Sequence, residues 1–191
     1  MKQNKILLID NNDSFTYNIV DILRKFSSIT FEVIKYNEIS IEKTKMYNKI
    51  IISPGPGLPR NFTIINKIIK EYYSKKPILG ICLGHQAIGE SFGAKLYNNI
   101  PVVHGQPKKI KIINKTALFK GLPDIFTVGL YHSWAIEKEN FPDNLEISAI
   151  SKDNVIMAIK HKEYDIYGIQ FHPESYITEF GENIINNFIK L

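Results

Sequence analysis

The strongest constraint on the fold is a series of short strand-like segments in the first half of the chain, at residues 6–9, 31–36, 50–52 and 77–81, of which 6–9 and 50–52 are unbroken apolar runs. Continuous runs of this length read as strands buried on both faces. Between the first two, Ile19, Ile22, Leu23 and Phe26 have the spacing of one helical face, and residues 64–73 read as a second helix. Ser14 stands where its hydroxyl can accept from a free backbone N–H at the start of the first helix. Strand–helix–strand alternation predicts a parallel sheet covered by helices, joined by right-handed crossovers.

After Phe92 the pattern changes to short strand-like pieces at residues 102–103, 109–113, 126–128 and 145–150. Residues 156–161 and 166–171 flank a turn-forming stretch, 162–165, and read as a strand pair. A last helix is expected over residues 177–189. The expected class is therefore α/β: an open, mostly parallel twisted sheet with helices on both faces and additional antiparallel strands in the C-terminal half. No internal repeat, low-complexity tract or linker interrupts the 191 residues, so residues 1–191 are read as a single domain whose two halves share one sheet.

Composition excludes several function classes. The net charge is +5, from 24 Lys and Arg against 19 Asp and Glu, but the lysines are scattered among Ile and Asn. No basic stripe interleaved with aromatics is present, which argues against a nucleic-acid partner. No apolar segment approaches the ~20 residues of a membrane span. The N-terminal apolar stretch ends at Asp10, too soon for a signal peptide. The lone cysteine, Cys82, has no internal disulfide partner, which fits a reducing cytoplasm.

Cys82 lies in Gly80-Ile81-Cys82-Leu83-Gly84-His85-Gln86, after an expected strand and before an expected helix. This is the context of a nucleophile elbow, where a strained turn lifts the nucleophile and its neighbours must lack bulk. At a helix N-terminus the dipole and free N–H groups favour a thiolate. The N–H of Leu83 is then a donor for the oxyanion of a tetrahedral intermediate. A free cysteine is also often only a small buried hydrophobe, so the motif alone does not decide the matter.

A thiol nucleophile needs a base, and the base needs a group to orient it. His172 ends an apolar strand in Gln170-Phe171-His172-Pro173-Glu174-Ser175, and a spacing of two puts Glu174 on the same side of extended chain. Glu174 can then accept from one ring nitrogen while the other turns to Cys82. Gln86 is placed to hydrogen-bond a polar substrate above the elbow, whereas His85, on another helix face, reads as a packed residue. Ser53-Pro54-Gly55-Pro56-Gly57 follows the third strand, and its bare turn allows close approach of a ligand, with the Gly57 N–H as second oxyanion donor. His104, His132 and His161 lie at strand ends; Tyr131-His132-Ser133-Trp134 stands out because Ser133 offers a hydroxyl and backbone groups.

The elbow and the His-Pro-Glu stretch together resemble the class I, triad-type glutamine amidotransferases. Asp10-Asn11-Asn12-Asp13-Ser14-Phe15-Thr16-Tyr17-Asn18, the Pro-Gly-Pro-Gly turn and Tyr131-His132-Ser133 narrow the resemblance to the small subunits of anthranilate synthase and aminodeoxychorismate synthase. The resemblance runs the length of the chain. It implies that Cys82 attacks the side-chain amide of glutamine, with His172 and Glu174 completing the triad and Gly57 and Leu83 the oxyanion hole. It further implies that Gly55, Pro56, Gly57, Gln86, Ser133 and Trp134 hold glutamine. Ammonia would pass to a chorismate-binding synthase subunit that carries Mg²⁺, with no cofactor in this chain. Residues 10–18 and His104-Gly105 would lie near that partner. Asn12 stands where the family commonly has tyrosine, and Gln106-Pro107 where it often has lysine. The leading expectation is anthranilate, for tryptophan; the alternative is aminodeoxychorismate, for folate, or both. A nucleotide-binding module of similar architecture is disfavoured, because two carboxylates follow the first strand where phosphate would bind.

Overall fold

A computed structural model describes residues 4–98 and 105–191. The expected strands form around β1 (Asn4–Asp10), β2 (Ile29–Lys35), β3 (Lys49–Ile52) and β4 (Ile78–Ile81). The helices among them are α1 (Thr16–Arg24), a short α2 (Ile41–Thr44) with no sequence forewarning, and α3 (Thr63–Tyr72). The elbow opens α4 (Leu83–Ser91). The second half supplies β5 (Leu96–Asn98), β6 (Gln106–Ile112), β7 (Ile125–Leu130), β8 (Trp134–Ile136), β9 (Leu145–Ser151), β10 (Ile156–His161), β11 (Ile166–Ile169) and α5 (Gly181–Ile189). The strand expected at Val102-Val103 falls outside the described residues.

Among the described residues, one sheet of nine strands runs in the order β2-β1-β3-β4-β11-β10-β9-β6-β7. The run from β2 to β11 is parallel, and the remaining pairings are antiparallel, including the β10–β11 hairpin. The two halves of the chain thus share a sheet, as the sequence predicts. A second small sheet pairs β5 with β8 antiparallel.

Alternation along each strand divides the core into two layers. Ile6, Leu8, Ile51, Leu79 and Ile81 pack with Ile19, Leu23, Ile184 and Phe188, which places α1 and α5 on one face. Leu7, Ile9, Ile50, Ile52 and Ile78 pack with Ile65, Ile68, Ile69 and Ala87, which places α3 and α4 on the other. Both faces being covered is the reason these strands carry apolar residues at consecutive positions. Each buried isoleucine contributes about 1.5–3 kcal/mol.

Two local expectations are corrected. Ser14 makes no capping bond to α1. Acidic side chains instead order the loop that leads into α1: Asp10 Oδ1 accepts from the N–H of Asn12 and the hydroxyl of Thr16, both at 2.9 Å, and Asp13 Oδ1 accepts from Phe15 N–H at 2.8 Å. A carboxylate is the stronger acceptor beside the positive end of a helix. The last helix begins at Gly181, four residues later than its apolar periodicity suggests. The preceding segment is used for tertiary ties: Thr178 Oγ1 donates to the His172 carbonyl at 2.6 Å and accepts from Gly129 N–H at 2.9 Å.

Candidate active site

Segments leaving the carboxyl ends of β1, β3, β4, β7 and β11 converge at one edge of the sheet, where open α/β folds gather their ligands. Cys82 ends β4 and caps α4, with its backbone at φ 51, ψ −97. A non-glycine residue in so sparse a region carries about 1–3 kcal/mol of strain. Its N–H donates to Ile169 O at 2.8 Å, and its carbonyl accepts from Gln86 N–H at 3.1 Å. A Cβ on Gly80 would lie 2.3 Å from the carbonyl atoms of Gly84, and one on Gly84 would lie 2.6 Å from Ile52 O. Backbone packs on backbone there, so both flanking positions must be glycine. The Leu83 N–H, in the first turn of α4, has no acceptor within the helix.

His172 and Glu174 form a buried pair, with His172 Nδ1 and Glu174 Oε1 at 2.6 Å. The carboxylate accepts, so Nδ1 carries the proton and Nε2 is the atom left for the sulfur. Phe15 and Tyr131 pack edge-on against the imidazole, with ring centroids at 5.6 and 4.8 Å. Burial alone pulls the imidazole pKa down. The charge and hydrogen bonding of Cys82, followed by those of Glu174, outweigh it and hold His172 well above its ordinary value. The imidazolium is therefore the favoured form of His172 beside a negative sulfur.

A cavity of about 250 Å³ opens at the elbow. Its lining contains Cys82 and Leu83 together with Gly55, Pro56, Gly57, Gln86, Ser133 and Trp134. Separate segments of sequence thus meet at one place. Among the described residues the Gly57 N–H has no backbone acceptor. Gln86 donates both amide hydrogens to protein acceptors, Trp134 O at 2.8 Å and Gln170 Oε1 at 3.2 Å. Its side-chain carbonyl is the atom left to meet a substrate donor. The turn at 53–57 is tied to the first loop, since Asn11 N–H donates to Ser53 Oγ at 3.0 Å and Asn11 Nδ2 to Ser53 O at 2.9 Å.

The other histidines are elsewhere or neutral. His85 is fully buried against Gly168 and lies outside the cavity lining, its pKa pushed to about 3 by burial. His132 is lowered to about 4, chiefly by burial, and its Nδ1 lies 3.0 Å from Trp134 O. His161 accepts from two backbone N–H groups at the β10–β11 turn, at the opposite end of β11 from Gln170. His104 lies outside the described residues, and Gln106 begins β6. Asn12 adopts φ 60, a left-handed conformation that asparagine tolerates better than tyrosine. Gln170 and Phe15 belong to the site, although their sequence context alone gives them no role in it. The signal for Gln170 is its place two residues before His172, just beyond β11, readable only once β11 is known to lie beside β4. Among the described residues no group of three His, Cys, Asp or Glu side chains is arranged to hold a metal ion.

The family model for "Glutamine amidotransferase class-I" matches residues 7–191. The chain belongs to the class I glutamine amidotransferase family. It is 46% identical over 187 residues to anthranilate synthase component 2 of Cyanophora paradoxa, covering 96% of this chain and 97% of that protein. It is 44% identical over 187 residues to a Haemophilus influenzae protein named as a candidate anthranilate synthase component II, covering 98% and 96%. Among solved structures, a Thermoplasma acidophilum protein described as a candidate GMP synthase subunit superposes with a TM-score of 0.89 at 28% identity, covering 100% of this chain and 94% of that one. No helix among the described residues is long and apolar enough to cross a membrane.

Proposed function

We propose that this amidotransferase hydrolyses glutamine and delivers the ammonia to a chorismate-using synthase subunit that makes anthranilate. The observation that carries the chemistry is Cys82 on a strained elbow, next to a cavity and to an imidazole that a buried carboxylate orients. Cys82 sulfur attacks the side-chain amide carbon of glutamine. The N–H groups of Leu83 and Gly57 receive the oxyanion. His172 gives its proton to the departing nitrogen, ammonia leaves, and a γ-glutamyl thioester remains. His172, now neutral, takes a proton from water as the water attacks the thioester, and glutamate is released. Glu174 keeps the imidazole oriented throughout. Gly55, Pro56, Gly57, Gln86, Ser133 and Trp134 hold the substrate, with Gln86 Oε1 accepting from one of its N–H groups.

The choice of anthranilate rests on relatives of that name matched over nearly the whole length of both chains. Aminodeoxychorismate synthesis uses the same ammonia and is the second reading. The GMP synthase resemblance is carried at lower identity, 28%. This chain would work without a cofactor of its own, and Mg²⁺ would sit on the chorismate-binding partner. Tyr176, 95% exposed, lines a groove of about 650 Å³ together with Asn18 and Glu174, and we assign the partner to this face. The test is product formation from chorismate, glutamine and Mg²⁺, with each candidate synthase subunit supplied separately. Anthranilate formed only with the tryptophan-pathway subunit supports the reading. Aminodeoxychorismate moves the chain to folate synthesis, and no glutamine-dependent product with either subunit refutes the assignment.

A further inference from the structure

Strands β4 and β11 run parallel in register, with Gly80 opposite Gly168 and Ile81 opposite Ile169. The next position on each segment brings Cys82 beside Gln170. The Gln170 side chain is fully buried, and its Nε2 lies 3.6 Å from Cys82 Sγ. Its Oε1 accepts from Gln86 Nε2 at 3.2 Å, and Gln86 Nε2 also donates to Trp134 O at 2.8 Å.

The direction of this chain of bonds follows from its anchor. A backbone carbonyl only accepts, so Trp134 obliges Gln86 to present its NH₂ group. Gln86 then meets Gln170 with a donor, which obliges Gln170 to present its oxygen. The remaining end of the Gln170 amide is a donor, and it points at the sulfur. A hydrogen-bond donor favours the charged form of an acidic group. The donor is also neutral, so it neither competes with His172 for protons nor repels the imidazolium.

We propose that Gln170 is a further catalytic residue, whose amide N–H stabilises the Cys82 thiolate, with Gln86 and the Trp134 carbonyl as the groups that aim it. The proposal rests on Cys82 being the nucleophile. Gln86 thereby serves the substrate with its oxygen and the nucleophile, through Gln170, with its NH₂ group. A substitution at Gln86 changes both.

The test follows the rate of Cys82 alkylation by iodoacetamide against pH in the full chain, with folding checked by thermal melting. Gln170→Glu is close to isosteric but turns an anionic oxygen towards the sulfur. Its alkylation midpoint is expected to rise by about one pH unit or more, and that of Gln170→Leu by less, since leucine only removes the donor. Gln86→Leu leaves Gln170 in place but frees its amide to turn, and an upward shift is expected there too. With the synthase subunit, glutamine-dependent product is expected to fall about tenfold in Gln170→Leu while ammonium-dependent product is unchanged. If Gln170→Glu does not fold, the two leucine variants decide. Parental midpoints in folded Gln170→Leu and Gln86→Leu overturn the proposal. The alkylation readout needs neither glutamine nor partner. Shifted midpoints without any glutamine-dependent product would retain Gln170 and remove the proposed function, and parental midpoints with normal product would do the reverse.

Discussion

Gly80→Ala is the most searching substitution, because it asks whether the elbow tolerates even one methyl group. The added Cβ would lie 2.3 Å from the carbonyl carbon and oxygen of Gly84 and 2.7 Å from His85 N, where ordinary contact begins near 3.4 Å. All three atoms are backbone, so no side chain can swing away. The first turn of α4 must retreat by about 1 Å, in a core that β3 closes from the other side. Overpacking of this kind costs about 1–3 kcal/mol. For a chain of this length that lowers Tm by about 2–12 °C. Catalysis suffers more, because the retreat carries Cys82 and the Leu83 N–H away from the substrate. A displacement near 1 Å costs about 10² in rate. The assay is thermal melting together with product formation in the presence of the synthase subunit, from glutamine and separately from ammonium. Glutamine-dependent synthesis should collapse while ammonium-dependent synthesis persists. A Gly80→Ala protein with parental Tm and parental glutamine-dependent rate would refute the packing argument for the elbow.

Three further outcomes are expected. Cys82→Ser should abolish glutamine-dependent synthesis and leave synthesis from ammonium intact; loss of both would give Cys82 another role. Glu174→Ala should retain a rate about tenfold or more above that of His172→Ala, since orienting a base is worth less than being one. Equal losses in rate assays of the two variants would show that they act as an inseparable unit. His85 is held neutral when folded, with a pKa of about 3 against an ordinary value near 6.5. The unfolded chain therefore binds one more proton as pH falls from about 6.5 towards 3, and stability drops by up to about 1.4 kcal/mol per pH unit from this group. Urea denaturation between pH 7 and pH 5 should show a shallower pH dependence in His85→Leu, and an unchanged slope would count against a neutral buried His85.

Much of this architecture was legible because it is local. Apolar runs at 6–9 and 50–52 announce strands covered on both faces, and the packing of alternate residues into two layers bears this out. The hairpin of β10 and β11 follows from two apolar runs around a turn, also a short-range signal. The candidate site was legible for a related reason. Gly80, Cys82 and Gly84 lie within five residues, and His172 and Glu174 within three, so each cluster brings its own geometry. The short β5 and β8 were not legible, because three residues carry no periodicity and pair only across a long separation. The start of α5 was misplaced for the same kind of reason. Residues 177–180 have helical spacing, yet Thr178 is drawn off to bond Gly129 and His172, and Phe180 adopts φ 60.

By itself the sequence determined the alternation of strands and helices, the strained cysteine turn and the pairing of a histidine with a nearby carboxylate. These depend on residues close together in the chain, where sterics and hydrogen bonding act without knowledge of the rest. Only the tertiary structure decided that β11 lies between β4 and β10, and with it that Gln170 stands beside Cys82. It also decided that Asp10 and Asp13 order the loop before α1 while Ser14 caps nothing, and that burial keeps His85 neutral. Those outcomes depend on which strands become neighbours and on how burial changes the charge of a side chain, and both arise only when distant parts of the chain meet.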